Sequence, residues 1–211
     1  MTRAAPEAEA LAAGAAELAR RDEVMARLIE LAGPCELRPP HDDAFGALLR
    51  AIVFQQLAGH AAGAIHGRVV ALLGGRPTPE GVLAATEDEL RAAGLSGAKA
   101  AAVTDLARRS LDGTVPLDDL DRLGDDELVE RLSAVRGIGR WTAEMFLVFQ
   151  LRRLDVWPVG DLAVRRGYAR AYGLGAPPAP TELDALGERF RPYRTIAAWY
   201  LWQASGTLLP D

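Results

Sequence analysis

Residues 135–143 have the sequence Val-Arg-Gly-Ile-Gly-Arg-Trp-Thr-Ala, and this stretch decides how the chain is interpreted. Apolar residues at helical spacing end near 128–133, and the same spacing resumes over 141–151. Gly137 and Gly139 lie between these two helical stretches and favour a tight turn, because glycine adopts positive φ and lets a ligand approach the backbone. The first N–H groups of the second helix have no partner inside it and can bind an anion such as phosphate. The stretch therefore predicts either a phosphate-binding hairpin or a plain connection between two helices.

One carboxylate follows this hairpin at close range. Asp161 lies 22 residues after Gly139, directly after Trp-Pro-Val-Gly at 157–160 and directly before a predicted helix over 162–172. Asp is among the best N-cap residues, so a purely structural role would explain it. An ionised carboxylate can also stabilise developing positive charge and orient a water molecule. The two roles are compatible.

The stretch over 132–172 resembles the helix-hairpin-helix DNA glycosylases, in which a Gly/Pro-rich loop and a catalytic Asp follow the hairpin. Gly-Ile-Gly-Arg-Trp-Thr-Ala at 137–143 is similar to the DNA-3-methyladenine glycosylase II family of that superfamily. Members of this family have a Trp where lyase-type relatives have a Lys, and here that residue is Trp141. The resemblance implies that Asp161 is the catalytic residue.

The resemblance covers roughly residue 45 to the end of the chain and implies an all-α fold. It also implies two helical subdomains flanking a DNA-binding cleft, with Asp161 at its mouth. We expect residues 1–211 to form one glycosylase unit. Its subdomains would be 45–132 and 1–44 plus 133–211, with the hairpin at 132–151 in the latter. Apolar spacing predicts helices at 24–31, 45–57, 61–73, 120–132, 141–151, 162–172, 183–190 and 195–205, and a helix, glycine turn and helix within 85–106.

The lysine and cysteine counts favour a monofunctional enzyme without a cofactor. A glycosylase that also cleaves the strand usually forms a Schiff base through a lysine, and arginine cannot replace that amine. Lys99 is the one lysine beside 23 arginines, and it lies in a different helical stretch. An iron–sulfur cluster needs about four Cys ligands, whereas Cys35 is alone. His60 and His66 lack zinc-ligand spacing, so no metal site is predicted, although hairpins of this type can bind a monovalent cation through backbone carbonyls.

An alkylated purine is cationic and already a good leaving group, so one carboxylate would suffice for its hydrolysis. The target nucleotide must first be flipped out of the duplex, and its base is then attracted by aromatic faces. The resemblance assigns the base pocket to Trp141 and, less directly, Trp202, with Met145 at a position where the best-known members have a Tyr. Trp157 and Trp199 are further pocket candidates, although aromatics at helical spacing are usually core residues.

Further residues are expected at the DNA itself. Phe54-Gln55-Gln56-Leu57 resembles the family's Gln-containing turn, which predicts Gln56 or Leu57 as the wedge in the minor groove and Gln55 as its support. A solvated turn is the alternative. The remaining DNA-binding candidates are the hairpin and its neighbouring polar residues: Arg136, Gly137, Ile138, Gly139, Arg140, Thr142 and Arg165.

The formal net charge of −5 argues against a protein that coats DNA by bulk electrostatics. The charge is nevertheless uneven along the chain. Residues 112–130 contain eight acidic residues and one Arg, whereas 131–170 contain eight Arg and three acidic residues. The hairpin and Asp161 lie in the positive segment, so we expect the acidic segment to face away from DNA.

Composition places the chain among globular proteins, with 49% hydrophobic residues over 211 positions. No run of 18 apolar residues occurs, so neither a membrane span nor a membrane partner is predicted. The Ala-rich start is interrupted by acidic residues, which is not typical of a secretory signal. A single Cys cannot form an intramolecular disulfide, which agrees with a reducing compartment. We therefore expect a cytoplasmic, nucleoid-associated protein. We expect a monomer whose partner is double-stranded DNA with damaged bases.

Two other functions remain open at this point. The first is a glycosylase for uracil, mismatched or oxidised bases. It would differ from an alkylpurine glycosylase in the lining of the base pocket, so Trp141 and Met145 decide between the two. The second is a non-catalytic module that uses the hairpin only to bind DNA. Such a module has no use for an acidic residue at the cleft, where Asp161 would repel phosphate.

Overall fold

The computed structural model describes residues 4–37, 40 and 42–206, and these form helices and connecting turns without a strand. The predicted all-α class is confirmed. The α-helices formed by the described residues are α1 (Ala4–Arg21), α2 (Glu23–Ala32), α3 (Ala44–Phe54), α4 (Gly59–Leu72), α5 (Pro79–Ala84), α6 (Glu87–Ala92), α7 (Gly97–Leu111), α8 (Asp125–Ser133), α9 (Arg140–Phe149), α10 (Leu162–Tyr172), α11 (Pro180–Gly187) and α12 (Arg194–Ala204).

Several helices differ from the predicted ones. The single helix predicted over 120–132 is a 3-10 turn at Leu120–Arg122 followed by α8, because Gly124 has extended φ and ψ and interrupts the helical backbone. The helix predicted over 45–57 ends at Phe54, where Gln55 becomes extended and Gln56 has a φ of +56°. Helices α1 and α5 were not among the predicted helices.

The chain divides into two compact units. The terminal unit comprises residues 1–38 and 152–211, and the central unit comprises residues 39–151. The hairpin therefore belongs to the central unit and not, as its sequence predicts, to a terminal subdomain of residues 1–44 plus 133–211. The physical reason is that α9 packs on α8 and α3, so the hairpin shares its core with the helices that precede it.

The terminal unit is built around the contact of α10 with α12, together with α1 and α2. Gly167 makes this contact possible, because a Cβ at that position would lie 1.9 Å from the carbonyl oxygen of Leu201. The two helix backbones thus approach without an intervening side chain. Large side chains that include Tyr200, Phe190 and Leu18 fill the remaining interior.

The central unit has its own apolar core. Its strongest helix contacts are those of α5 with α7, α8 with α9 and α3 with α4. The fully buried large side chains of this unit are Leu48, Leu49, Ile52, Leu90, Leu106, Leu128, Leu132 and Leu147. Among the described residues, none of the helices combines the length and the apolar character needed to cross a bilayer.

The close approach at Gly167 predicts a large effect of one methyl group. Gly167→Ala should lower the free energy of unfolding by about 1–3 kcal/mol or more, because the new Cβ forces two backbones apart. The matched control is Gly63→Ala in the middle of α4, where a Cβ meets nothing within 4 Å. That substitution should raise stability by about 0.5–1 kcal/mol. Denaturant unfolding measures both, and equal effects of the two substitutions would contradict the packing.

Candidate functional site

The hairpin turn is anchored by its apolar residues. Val135 and Ile138 are buried, and the Ile138 N–H donates to the Val135 carbonyl at 3.0 Å. Ile138, predicted as a DNA-binding residue, can therefore contribute its backbone and not its side chain. Gly137 between them has a φ of +79°, which an L side chain rarely adopts. The buried pair holds the turn so that the glycine backbone lies at the surface.

Gly139 is the N-cap of α9 and differs from the expected geometry. Its φ of −88° and ψ of 169° are open to any residue, so the expectation of positive φ holds for Gly137 alone. A Cβ at Gly139 would meet nothing within 4 Å, and no side chain caps the helix there. Packing within the protein therefore does not require glycine at this position. Close approach of an external group to the helix N-terminus would require it.

Asp105 of α7 holds the hairpin backbone from one side. Its Oδ2 atom accepts hydrogen bonds from the Arg136 N–H at 2.8 Å and from the Arg109 guanidinium at 3.0 Å. Burial opposes ionisation of this carboxyl, but the two hydrogen bonds and the positive charges of Arg109 and Arg108 together outweigh it and lower the pKa of Asp105 below its ordinary value. Only the Arg136 backbone is used in this contact, and the residue remains exposed.

The first turn of α9 combines an exposed aromatic ring with an ion pair. Trp141 is 51% exposed, while Thr142 beside it is buried. The Arg140 guanidinium lies 2.8 Å from Oε1 of Glu144, whose side chain is buried. Arg140 itself is mostly exposed, so its guanidinium lies at the surface beside the helix N-terminus. Met145 is half-buried one turn after Trp141.

The Gln-containing turn meets the hairpin directly. The Gln55 side-chain amide donates to the Gly137 carbonyl at 2.9 Å. Gln56 follows in the left-handed region at φ +56°, a conformation that costs a non-glycine residue roughly 1–3 kcal/mol of conformational free energy. Gln56 and Leu57 are both exposed. The structure thus brings together the predicted wedge turn and the predicted hairpin within the central unit.

Lys99 has a role that sequence reasoning missed. Its ammonium donates to the Val53 carbonyl at 2.7 Å and to the Gln55 carbonyl at 2.8 Å. Desolvation lowers the pKa of Lys99 below its ordinary value. The lysine is therefore held against the C-terminal end of α3, where the last carbonyls of a helix need donors. It lies more than forty positions from its partners, so no local pattern could have indicated the contact.

Asp161 is the N-cap of α10 in the terminal unit. Its Oδ1 atom accepts from the N–H groups of Ala163 at 2.8 Å and Val164 at 3.0 Å. The residue is 8% exposed, and its own N–H donates to the Pro158 carbonyl at 2.9 Å. The predicted capping role is therefore present. It fixes the carboxylate in one orientation at the start of the helix.

The tryptophans of the terminal unit are all largely buried. The Trp157 indole N–H donates to the Leu183 carbonyl at 2.8 Å, and its ring packs on Phe190. A Cβ at Gly187 would lie 2.1 Å from the same indole nitrogen, so this ring is a core element. Trp199 similarly donates to the Glu36 carbonyl at 3.1 Å. Trp202 is 6% exposed.

Arg165 is partly committed within the protein. Its Nε atom donates to the Pro178 carbonyl at 2.7 Å, which fixes the direction of the side chain. Arg166 next to it is exposed. Across the described part of the chain, no group of three or more His, Cys, Asp or Glu side chains is placed to hold a metal ion.

These features are those of a hairpin protein with one capped carboxylate, and comparison with known proteins gives its class. Residues 49–192 match the family described as HhH-GPD superfamily base excision DNA repair protein. The chain belongs to this superfamily. DNA-3-methyladenine glycosylase 1 of Schizosaccharomyces pombe is 38% identical over 195 residues, covering 87% of this chain and 83% of the relative.

Solved structures agree with that assignment. A DNA-3-methyladenine glycosidase from Bacillus halodurans superposes with a TM-score of 0.83 at 38% identity, covering 90% of this chain and 87% of that one. The S. pombe 3-methyladenine DNA glycosylase Mag1 in complex with abasic DNA gives a TM-score of 0.75 at 36% identity. The match covers 90% of this chain and 95% of Mag1. The predicted family resemblance is confirmed.

Proposed function

We infer that this protein is a monofunctional DNA glycosylase that hydrolyses the N-glycosidic bond of alkylated purines such as 3-methyladenine in duplex DNA. The observation that carries the inference is the 38% identity to a 3-methyladenine glycosylase over nearly the whole chain. The described geometry is consistent with it, because the chain has an anchored glycine hairpin and one oriented carboxylate. We propose no metal or cofactor for the reaction.

The chemistry requires only one acidic residue. Methylation at N3 or N7 makes the purine cationic, so it can leave with the bonding electrons and needs no general acid. Positive charge then develops on the deoxyribose, and a water molecule adds at C1′. We assign the stabilisation of that charge, and acceptance of the proton from water, to Asp161. The N–H groups of Ala163 and Val164 hold the carboxylate in place for this role.

Binding of the DNA backbone is assigned to the hairpin. The N-terminus of α9 carries the positive end of the helix dipole, and Gly139 leaves it open to a phosphate. Arg136 and Arg140 add positive charge on either side. Such contacts position the duplex without reading its sequence, which suits an enzyme that must find a lesion in any context.

Recognition of the flipped base is assigned first to Trp141. Half of this side chain is exposed, so a base can stack on it without a change in the core. A cationic base gains about 0.5–2 kcal/mol from an aromatic face. Met145 adds a polarisable thioether one turn further along α9. Trp202 is a further candidate, and Trp157 and Trp199 are better explained by their core contacts.

The first test is release of free bases from methylated duplex DNA. The wild-type protein should release methylpurines, whereas Asp161→Asn should release essentially none, because the neutral amide cannot stabilise the developing charge. Affinity of Asp161→Asn for lesion DNA should be unchanged or higher, since a negative charge is removed. The Asn oxygen can still cap α10, so the fold should remain intact.

Asp184→Asn in α11 is the matched control, because it removes the same charge from an exposed position of the terminal unit. It should retain wild-type release. Full activity in Asp161→Asn would overturn the assignment of the catalytic residue. No release by the wild type would indicate another lesion class or a non-catalytic DNA-binding protein.

The two hairpin glycines should respond differently to the same substitution. Gly139→Ala should lower the free energy of unfolding by no more than about 1 kcal/mol, the difference between glycine and alanine at an N-cap, while weakening DNA binding, because its methyl group occupies the approach to the helix N-terminus. Gly137→Ala should lower stability by about 1–3 kcal/mol, because its φ is +79° and its Cβ would lie 3.2 Å from that of Ala102. Unfolding curves and fluorescence anisotropy with duplex DNA measure the two effects. A Gly139→Ala variant that binds DNA normally would refute phosphate binding at this helix.

Trp141 should discriminate bases by charge. Trp141→Ala should lower the release rate of cationic bases about 2- to 30-fold more than that of neutral hypoxanthine, because cation–π attraction is lost. Trp141→Phe retains an aromatic face and should show a smaller difference. Single-turnover rates on the two substrates give the comparison. Equal losses on both would argue against a cation–π contact.

A further inference from the structure

The end of α3 is held by an ammonium group from another helix. Two carbonyls, those of Val53 and Gln55, converge on the Nζ atom of Lys99 at 2.7 and 2.8 Å. A positive charge at a helix C-terminus is favourable because it satisfies orphan carbonyls and opposes the negative end of the dipole. The contact reaches from the first turn of α7 to the last turn of α3, both in the central unit.

The shape of the donor group explains why a lysine suits this position. An ammonium is a compact point charge with three donors, whereas the guanidinium of arginine is a planar fork. The chain uses arginine at 23 of its 24 basic positions, and its single lysine lies where two carbonyls converge on one nitrogen. Half-burial of Lys99 beneath the turn adds to the constraint, because the ammonium has little freedom to move.

The segment that Lys99 holds leads directly into the exposed turn. Gln55 is bound through its carbonyl by Lys99 and through its side chain to the Gly137 carbonyl of the hairpin. Gln56 follows in the left-handed region, a conformation that persists only where the surroundings enforce it. Leu57 is then presented with 40% of its surface exposed. Lys99 and Gln55 together determine where the exposed pair Gln56 and Leu57 can lie.

We propose that Lys99 is a positioning residue for nucleotide flipping. It touches neither DNA nor the reacting atoms, and it acts by fixing the turn that fills the gap left by the flipped nucleotide. The inference rests on the proposed function, because a gap in the duplex exists only if the protein flips a nucleotide. It assigns the chain's one lysine a role in lesion capture rather than in Schiff-base chemistry.

The experiment measures lesion preference rather than catalysis. Affinity is determined for a fluorescein-labelled duplex with a tetrahydrofuran abasic-site analogue and for the same duplex without it, at a temperature where every variant is folded. Lys99→Met keeps the length and apolar stem of the side chain and removes the ammonium. It should lower the preference for the abasic duplex about ten-fold.

Arg91→Met is the matched control, because it removes one positive charge from an exposed position of the same unit. It should leave the preference unchanged, and both variants should bind the undamaged duplex equally. Since a general loss of stability or charge would affect both duplexes alike, a changed ratio separates positioning from a merely structural role.

A double-mutant cycle tests the route of the effect. In a Leu57→Ala background, Lys99→Met should reduce the preference by less than two-fold, because the side chain that it positions is already absent. A loss as large as in the wild-type background would overturn the proposal, and so would a wild-type protein with no preference for the abasic duplex. A second cycle applies if Lys99→Met does not fold. Gln55→Ala removes the hydrogen bond to the Gly137 carbonyl, and its loss of preference should likewise be smaller in the Leu57→Ala background. Additive losses in this second cycle would equally overturn the proposal. Base release by the wild type tests the proposed function separately.

Discussion

The hairpin depends on hydrogen bonds between its own backbone and side chains from α7 and from the turn that follows α3. The Arg136 N–H donates to Asp105, and the Gly137 carbonyl accepts from Gln55. Each bond contributes about 1 kcal/mol to the free energy of unfolding. The two bonds also restrict the turn to a single conformation. Burial of Val135 and Ile138 supplies the remaining constraint. The N–H groups that follow Gly139 are therefore already oriented, and the proposed binding of a phosphate would not have to order them.

This anchoring also explains how much of the fold could be predicted from the sequence. Local signals were sufficient for α10, whose predicted and observed bounds agree because Asp161 caps its start and Gly173 its end. They were insufficient at 120–132, where the apolar spacing continues through Gly124 although the backbone does not. The unit to which the hairpin belongs could not be predicted, because Asp105 and Gln55 reach it from positions 31 and 82 residues away. Long-range contacts of this kind leave no periodicity in the sequence.

The contrast in net charge between residues 112–130 and 131–170 is smaller in the structure than it is along the sequence, because several of these charges are paired. The acidic residues Asp125, Asp126 and Glu127 occupy the first turn of α8, where they complement the helix dipole. Glu127 also pairs with Arg131 at 2.7 Å, and Glu144 pairs with Arg140 at 2.8 Å. Part of the apparent contrast between a negative and a positive segment is therefore neutralised locally. What distinguishes the hairpin is less its net charge than the exposure of Arg136 and Arg140 beside a helix N-terminus.

The two interpretations of Asp161, a structural cap and a proposed catalytic carboxylate, require the same geometry. A carboxylate that must stabilise a transient positive charge works best when it does not have to reorient during the reaction. The N–H groups of Ala163 and Val164 impose such an orientation through Oδ1, and the near-complete burial of the residue limits competition from water. Capping thus pre-organises the group that the proposed chemistry needs. The cap of α10 would therefore also serve the proposed chemistry, since the bonds that begin the helix hold the carboxylate in place.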